Sequence, residues 1–402
     1  MSRPRIVIAG GGFAGLACAQ GLDAADFEVT LVDQRRHLDF IPNIHELISG
    51  TKRKAQLTLP LGAILHSLGH RFRQGVIREV DSRDRSLTLE DGRRFSADYL
   101  LLALGSKDAS FGVDGVGRHT LGLKSVAEGQ AVNRRLRQLG RATTRTRVVV
   151  VGSGLAGIEA LGEILRLPWR GHRDIHLVEA APRLLPSGPP RVSTFLRTRL
   201  EAQGVQLHLA DAVQRISAKT VWLESGKRLR SDATLWTAGP APGPVLATSG
   251  LAGPGEWMRV NRDLSAQGVT GVYAAGDIAE LPTALTRQAY HALDMGTAAA
   301  QNIARDARGL AGRPFRPVPR PTLLAFGDMG CILIAGQKAV FSPALGAAKE
   351  GVYAAVMAKL DQRKLAPRLS GALSRAQGSA GQLWPLLKPT ELLRSAAQLR
   401  TL

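Results

Sequence analysis

Two short stretches, Gly10-Gly11-Gly12-Phe13-Ala14-Gly15 and Gly152-Ser153-Gly154-Leu155-Ala156-Gly157, satisfy the spacing GxGxxG. Each follows a run of apolar, β-branched residues and opens into a helix-forming run. In this spacing the first glycine makes a tight turn. The second lets backbone approach a pyrophosphate, and the third lets the helix pack against the strand. The helix N-terminus then presents free N–H groups and the positive end of its dipole to phosphate. Asp33 ends the next strand 18 residues past Gly15, and Glu179 lies 22 residues past Gly157. A carboxylate at that distance accepts a hydrogen bond from a ribose hydroxyl. Glu179 would also repel a 2′-phosphate, which favours NADH over NADPH, a preference moderated by the nearby Arg183. One such unit holds one nucleotide, so a chain that repeats it at an offset of 142 residues is built for two.

The elements that must position these loops can be read from apolar periodicity and turn residues. RIVIAG, a helix from Gly12 to about Leu22 and FEVTLVD form a first βαβ unit. Strand-like segments follow in FRQGVIREVD, SLTLEDG and RRFSADYLLLALGS, separated by the turn pairs Asp84-Arg85 and Asp91-Gly92. LKSVAEGQAVNRRLRQLG reads as a helix. The pattern restarts at Arg147 with RVVVVG, a helix over 154–166 and DIHLVEA. The helix RVSTFLRTRLEAQG, strand VQLHLAD, a hairpin around LESGKRLRSD and strand ATLWTAG come next. After GVYAAGDIAEL a helix runs through RQAYHALDMGTAAAQNIARDA, and GRPFRPVPRP is a proline-rich connector. Two strands, TLLAFGD and CILIAGQ, then precede further helices. The last stretch, KPTELLRSAAQLRTL, places Leu392, Leu393, Ala396 and Leu399 on one helical face.

Composition sets the boundaries. The 402 residues exceed one ordinary core and suit two or three domains. With 44% hydrophobic and 21% charged residues the chain reads as soluble and globular, without an apolar run long enough to span a bilayer. The first strand starts too early for a signal peptide, and the two cysteines, Cys18 and Cys331, form no CxxC pair. A disulfide scaffold, a zinc site and a dithiol relay are therefore not expected, and no metal site is. A reducing, cytoplasmic setting fits best. Of the net charge of +20, half falls in residues 302–402, which hold 15 Lys/Arg against 5 Asp/Glu. An anionic membrane surface or nucleic acid could attract such a region. No motif that reads RNA or DNA accompanies it, so nucleic acid is not expected as a partner.

Four further segments carry a family resemblance. The Ala-x-Gly ending at Gly105 in LLLALGS, and its second copy ending at Gly239 in LWTAGP, resemble the strand ends of flavoproteins with the disulfide-reductase fold. VYAAGDIAE resembles the motif in which an aspartate, here Asp277 after Gly276, binds the ribityl and phosphate part of FAD. HLDFIPNIHELISG and the segment from LLALGSKDAS to LKSVAEG resemble type II NADH dehydrogenases. Over roughly residues 5–310 the likeness implies an α/β fold of two Rossmann-like dinucleotide-binding domains. The FAD-binding domain would comprise 1–117 and 250–318, the NADH-binding domain 118–249, and a basic α+β region 319–402.

The resemblance also implies chemistry. FAD would occupy the first unit and NADH the second, with a hydride passing from nicotinamide to flavin and two electrons then to a membrane quinone, without proton pumping. The family's quinone motif AQxxxQ aligns with Ala289, Tyr290 and Asp294, so both glutamines are replaced. Tyr290 could stack on a quinone ring, and His291 could relay protons. Glu159 matches a glutamate that the family places beside the nicotinamide and flavin rings, whereas Glu163 reads as structural. The same side chains could instead merely pack or face solvent. A sulfide:quinone-type reductase, a reductase of a soluble electron carrier and a redox-sensing flavoprotein with a basic interaction surface remain alternatives. The implied setting is the cytoplasmic face of a membrane, held peripherally at anionic headgroups, with a homodimer left open.

Overall fold

The computed structural model describes residues 2–364 and 400–401. Two parallel sheets carry the two glycine loops. In the first, the strands run in the order Val272–Ala274, Tyr99–Leu102, Arg5–Ala9, Glu28–Asp33 and Arg71–Gln74. In the second the order is Val205–Leu209, Arg173–Glu179, Thr146–Val151 and Ala233–Trp236. Their central strands are near-continuous apolar runs because both faces are covered, as parallel sheets require. Ile6, Ile8 and Leu100 to Leu102 in one sheet, and Val149, Val150 and Leu177 in the other, are fully buried.

The expected helices are present as Phe13–Gln20, Val126–Gly140, Leu155–Arg166, Pro190–Ala202 and Ala289–Asp306. The turn pairs also act as read: Arg85 and Gly92 both take positive φ, at 47° and 85°. A two-residue ribbon, Lys107–Asp108 against Pro240–Ala241, ties the ends of the two sheets together. There the indole of Trp236 donates to the carbonyl of Ala109 at 2.8 Å.

Thr322–Ala325 and Cys331–Ala335 form a third, antiparallel sheet with Lys338–Ser342 and Arg400–Thr401. The strand Lys338–Ser342 was not expected; its alternation is short and follows a Gly-Gln turn, so it reads weakly from composition. The helix Leu345–Leu360 completes this part. Most of the amphipathic stretch expected over KPTELLRSAAQLRTL lies outside the described residues. At its described end, Arg400–Thr401, the chain is extended rather than helical. Among the described residues no helix is long and apolar enough to cross a membrane. Both cysteines are buried, and burial pushes the Cys331 thiol up to about 12.

On the second sheet His176 and His208 stack across adjacent strands, Nδ1 to Nε2 at 3.1 Å. Burial, with Lys227 beside it, pulls His208 down to about 4, and burial also lowers His176. Between the unfolded value near 6.5 and the folded one, the unfolded chain binds more protons, so stability falls with falling pH. Thermal unfolding of the native protein should therefore lose stability between about pH 6.5 and 4, and His208→Gln should flatten that decline. Superimposable pH–Tm curves would contradict the assignment.

Candidate functional site

The first glycine loop sits where the three central strands of the first sheet end. Gly10 has φ +107°, and a Cβ there would enter the carbonyl of Ala103. A Cβ on Gly15 would fall inside the carbonyl of Gly10, so helix and strand touch backbone to backbone. Gly12, in contrast, faces open space, and no side chain caps the helix that starts at Phe13. Asp33 closes the loop from the next strand: one carboxylate oxygen accepts from Gly11 N at 2.6 Å, the other from Arg35 N at 2.7 Å. Burial raises its pKa against those hydrogen bonds. Gly105, at φ +68°, and Gly276, at φ +80°, turn the chain at the neighbouring strand ends. Asp277 arrives beside them and accepts from Ser106 Oγ at 2.7 Å, while Lys124 donates to the same hydroxyl. Gly10, Gly11, Gly12, Phe13, Ala14, Gly15, Asp33, Gly105, Gly276 and Asp277 thus meet at one edge, the carboxyl end of a parallel sheet, where such folds bind nucleotides.

The second loop repeats the design. Gly152 has φ +95° and abuts the backbone of Thr237 and Ala238; a Cβ on Gly157 would fall inside the carbonyl of Gly152. Gly154 faces open space, and the helix beginning at Leu155 lacks a side-chain cap. Glu179 accepts from both the N–H and the hydroxyl of Ser153, at 2.8 and 2.7 Å, and from Ala181 N. Arg183 is turned inward: its guanidinium donates to the carbonyls of Gly188 and Pro186. Both terminal nitrogens of the guanidinium are thus engaged by backbone carbonyls in this structure. Gly239, at φ +148°, accepts from Ala109 N and so lies on the side of this loop that faces the first sheet. At both loops the uncapped first turn and the open middle glycine fit the pyrophosphates of two dinucleotides.

Glu159 lies away from the glycine turn, in a buried cluster of charge. Lys349 Nζ donates to its Oε1 at 2.5 Å, Ala325 N donates to the same atom, and His45 Nδ1 stands 3.4 Å from Oε2. Burial raises the carboxyl pKa, opposed by Lys349. One turn on, Glu163 accepts from Ser49 and from Arg166, whose Nε reaches Asp328 at 2.7 Å. On the far side Lys52 bridges Glu46, at 3.1 Å, and Glu350, at 2.6 Å. Gly162 meets Gly327 so closely that neither could carry a side chain. Glu159 therefore joins the second sheet's helix to HLDFIPNIHELISG and to the C-terminal part. Removing Lys349 alone would strand a buried carboxylate, a loss of about 3–5 kcal/mol.

Ala289, Tyr290, His291 and Asp294 begin the helix Ala289–Asp306, which crosses the first glycine helix where Gly296 touches the carbonyl of Ala14. The Tyr290 and His291 rings lie 4.2 Å apart. Arg320 reaches Asp294 at 2.8 Å and stands over the Tyr290 ring at 5.4 Å. His291 is buried, which lowers its pKa, with Asp294 opposing. The strand Thr322–Ala325 starts two residues after Arg320 and ends at the N–H that Glu159 accepts. One strand thus runs from the Tyr290–Asp294 group to the Glu159 group. His45, Lys349, Lys52 and Arg320 escaped the sequence reading. A lone histidine, an isolated lysine and scattered basic residues of the C-terminal part carry no spacing signal.

A model of the family described as pyridine nucleotide-disulphide oxidoreductase matches residues 4–296. The demethylphylloquinone reductase NdbB of Synechocystis is 27% identical over 372 residues, covering 88% of this chain and 92% of its own. The type II NADH:quinone oxidoreductase of Staphylococcus aureus is 24% identical, covering 84% of this chain and 93% of its own. Among solved structures, NDH2 from Plasmodium falciparum in complex with NADH superposes with a TM-score of 0.78 at 15% identity. That match covers 90% of this chain and 95% of the other.

The open middle glycines make a separable prediction. Both have negative φ, −75° at Gly12 and −66° at Gly154, which alanine adopts freely. Gly12→Ala should fold yet purify with less FAD, whereas Gly154→Ala should keep FAD and raise KM for NADH by about tenfold or more. Gly15→Ala should lose fold and cofactor together. Absorbance at 450 nm per chain, thermal unfolding and steady-state kinetics read all three.

Proposed function

The chain belongs to the pyridine nucleotide-disulphide oxidoreductase family, and on that premise we propose that it is an FAD-dependent NADH:quinone oxidoreductase without proton pumping. The observation that carries this reading is the pair of glycine cradles, each with its own acid, on two parallel sheets whose ends are tied by one ribbon. The names of the relatives, a demethylphylloquinone reductase and a type II NADH:quinone oxidoreductase, supply the acceptor class. Both cysteines are buried, and neither stands near a second thiol among the described residues, which favours direct transfer to a quinone over a sulfur relay.

In this reading residues 1–117 and 250–318 hold FAD, 118–249 hold NADH, and 319–402 complete the acceptor side. FAD, when bound, accepts the hydride of NADH and releases electrons to the acceptor. The chain's own residues do the rest. The first-turn N–H groups at Phe13 and Leu155 bind pyrophosphate, Asp33 and Glu179 hold ribose hydroxyls, and Asp277 orients the ribityl chain. Glu159 positions the reacting rings through a buried carboxyl whose pKa burial raises and Lys349 opposes. Ala289, Tyr290 and Asp294 line the acceptor's approach, where Tyr290 offers a ring to stack on and His291, kept neutral by burial, can accept a proton. The basic C-terminal part rests on the anionic cytoplasmic face of a membrane. A homodimer is compatible with this arrangement.

Three measurements test the reading. Purified, FAD-loaded protein should oxidise NADH with naphthoquinones or benzoquinones and not depend on sulfide; indifference to every quinone would defeat it. Glu179→Ala should raise the kcat/KM ratio of NADPH to NADH, by about tenfold, since a carboxylate facing the 2′ position is removed. The full chain should float with liposomes containing anionic lipid better than a chain ended after Lys364; equal recovery would remove the membrane assignment from the C-terminal residues.

A further inference from the structure

Among the described Phe, Tyr and Trp side chains only Phe111 is exposed, with 68% of it open to solvent. Its backbone carries a second cost. Phe111 and Gly112 are the central residues of a tight turn, closed by Val113 N donating to the carbonyl of Ser110 at 2.9 Å. Both have positive φ, 51° and 75°. Glycine and asparagine fill such positions readily, whereas a phenylalanine there crowds its Cβ against the following carbonyl. A side chain both strained and unburied gives little to the fold, and such outliers gather at ligand sites.

The place of the turn says which ligand. It lies on the chain's first crossing between the two sheets, just past the ribbon strand Lys107–Asp108, and its ring leans on the return crossing. Phe111 Cζ is 3.4 Å from where a Cβ on Gly239 would stand. Gly239 follows Thr237 and Ala238, whose backbone abuts Gly152 of the second glycine loop. The strand that feeds this loop, Thr146–Val151, has Arg173–Glu179 on one side and Ala233–Trp236 on the other. A dinucleotide laid across these strand ends has its adenosine ribose at Glu179 and its pyrophosphate at the uncapped helix start. Its nicotinamide end therefore passes Ala233–Trp236 toward Gly239, the side that the ribbon ties to the first sheet.

We propose that Phe111 binds the nicotinamide ring of NADH, its exposed phenyl being the apolar wall against which that ring packs. The inference rests on the reading of the second cradle as the NADH site and is independent of the electron acceptor. Contact between the two flat rings removes apolar surface from water on both, and aromatic pairs gain beyond the area they bury. Gly239 carries no side chain, so the space beside the phenyl is left to the ligand. The strained turn then has a purpose: it holds the ring out of the protein's own core and in front of the cleft. Phe111 takes no part in the hydride transfer and is a positioning residue.

Calorimetric titration of full-length, FAD-loaded protein with NAD⁺ and with ADP-ribose, which lacks the nicotinamide, tests the assignment. Phe111→Ala should weaken NAD⁺ about fivefold or more and leave ADP-ribose within about twofold of wild type. Phe111→Tyr, which keeps the ring, should bind both ligands as wild type does. Phe111→Asn checks the fold separately. Asparagine accepts positive φ, so without nucleotide this variant should unfold about 1–2 °C higher while losing the same NAD⁺ affinity. A ring kept for structure would not yield stability gained as ligand is lost. An NAD⁺ affinity of Phe111→Ala within about twofold of wild type overturns the proposal. Equal weakening of both ligands overturns it too, since the ring would then serve the adenosine end or brace the two crossings. Wild type that binds neither ligand would overturn the NADH reading of the second cradle, and this assignment with it.

Discussion

Buried charge along one short helix ties the second sheet to the segment around His45 and to the C-terminal part. The helix Leu155–Arg166 begins at the second glycine loop and is then gripped on the faces that leave its own sheet. Glu159 is held by Lys349, His45 and Ala325, Glu163 by Ser49, and Arg166 by Asp328, while Gly162 lies against Gly327 with no room for a side chain. A hydride moves only over near-contact distance. Two cradles on separate sheets therefore need a rigid reference between them, and this helix with its partners supplies one.

Such a reference is expensive. Taking Glu159, Lys349, Lys52 and Glu163 out of water costs several kcal/mol for each ion, and apolar residues of similar volume would often serve stability better. The charges are retained where two sheets and the C-terminal part converge, and the surplus cost is offset by hydrogen bonds that satisfy almost every partner. A cluster that combines a carboxyl of raised pKa, a neutral imidazole and an ammonium can also hold and move a proton, which a hydrophobic plug cannot.

The two cradles were legible in the chain because their chemistry is local. Gly15 and Gly157 each lie against the carbonyl of the glycine five residues earlier, Gly10 and Gly152 take the positive φ of the tight turn, and Asp33 and Glu179 follow at a distance set by one helix and one strand. Arg183 shows the limit of such reading. Its charge and its place near Glu179 were plain, yet its guanidinium is spent on the carbonyls of Pro186 and Gly188. The C-terminal sheet was half legible: two of its strands follow clear apolar runs, and the third becomes a strand through pairing with Cys331–Ala335.

By itself the sequence determined the α/β order of elements, the doubling of the glycine loop and the acid that follows each copy, since all of these depend on periodicity and short-range turn geometry. Only the tertiary structure decided that His45, Glu159 and Lys349 meet, that Arg320 seizes Asp294, and that Glu163 is buried with Ser49. Those partners lie tens to hundreds of residues apart in the chain. Ion pairing and desolvation act through space, so nothing in local spacing could announce them.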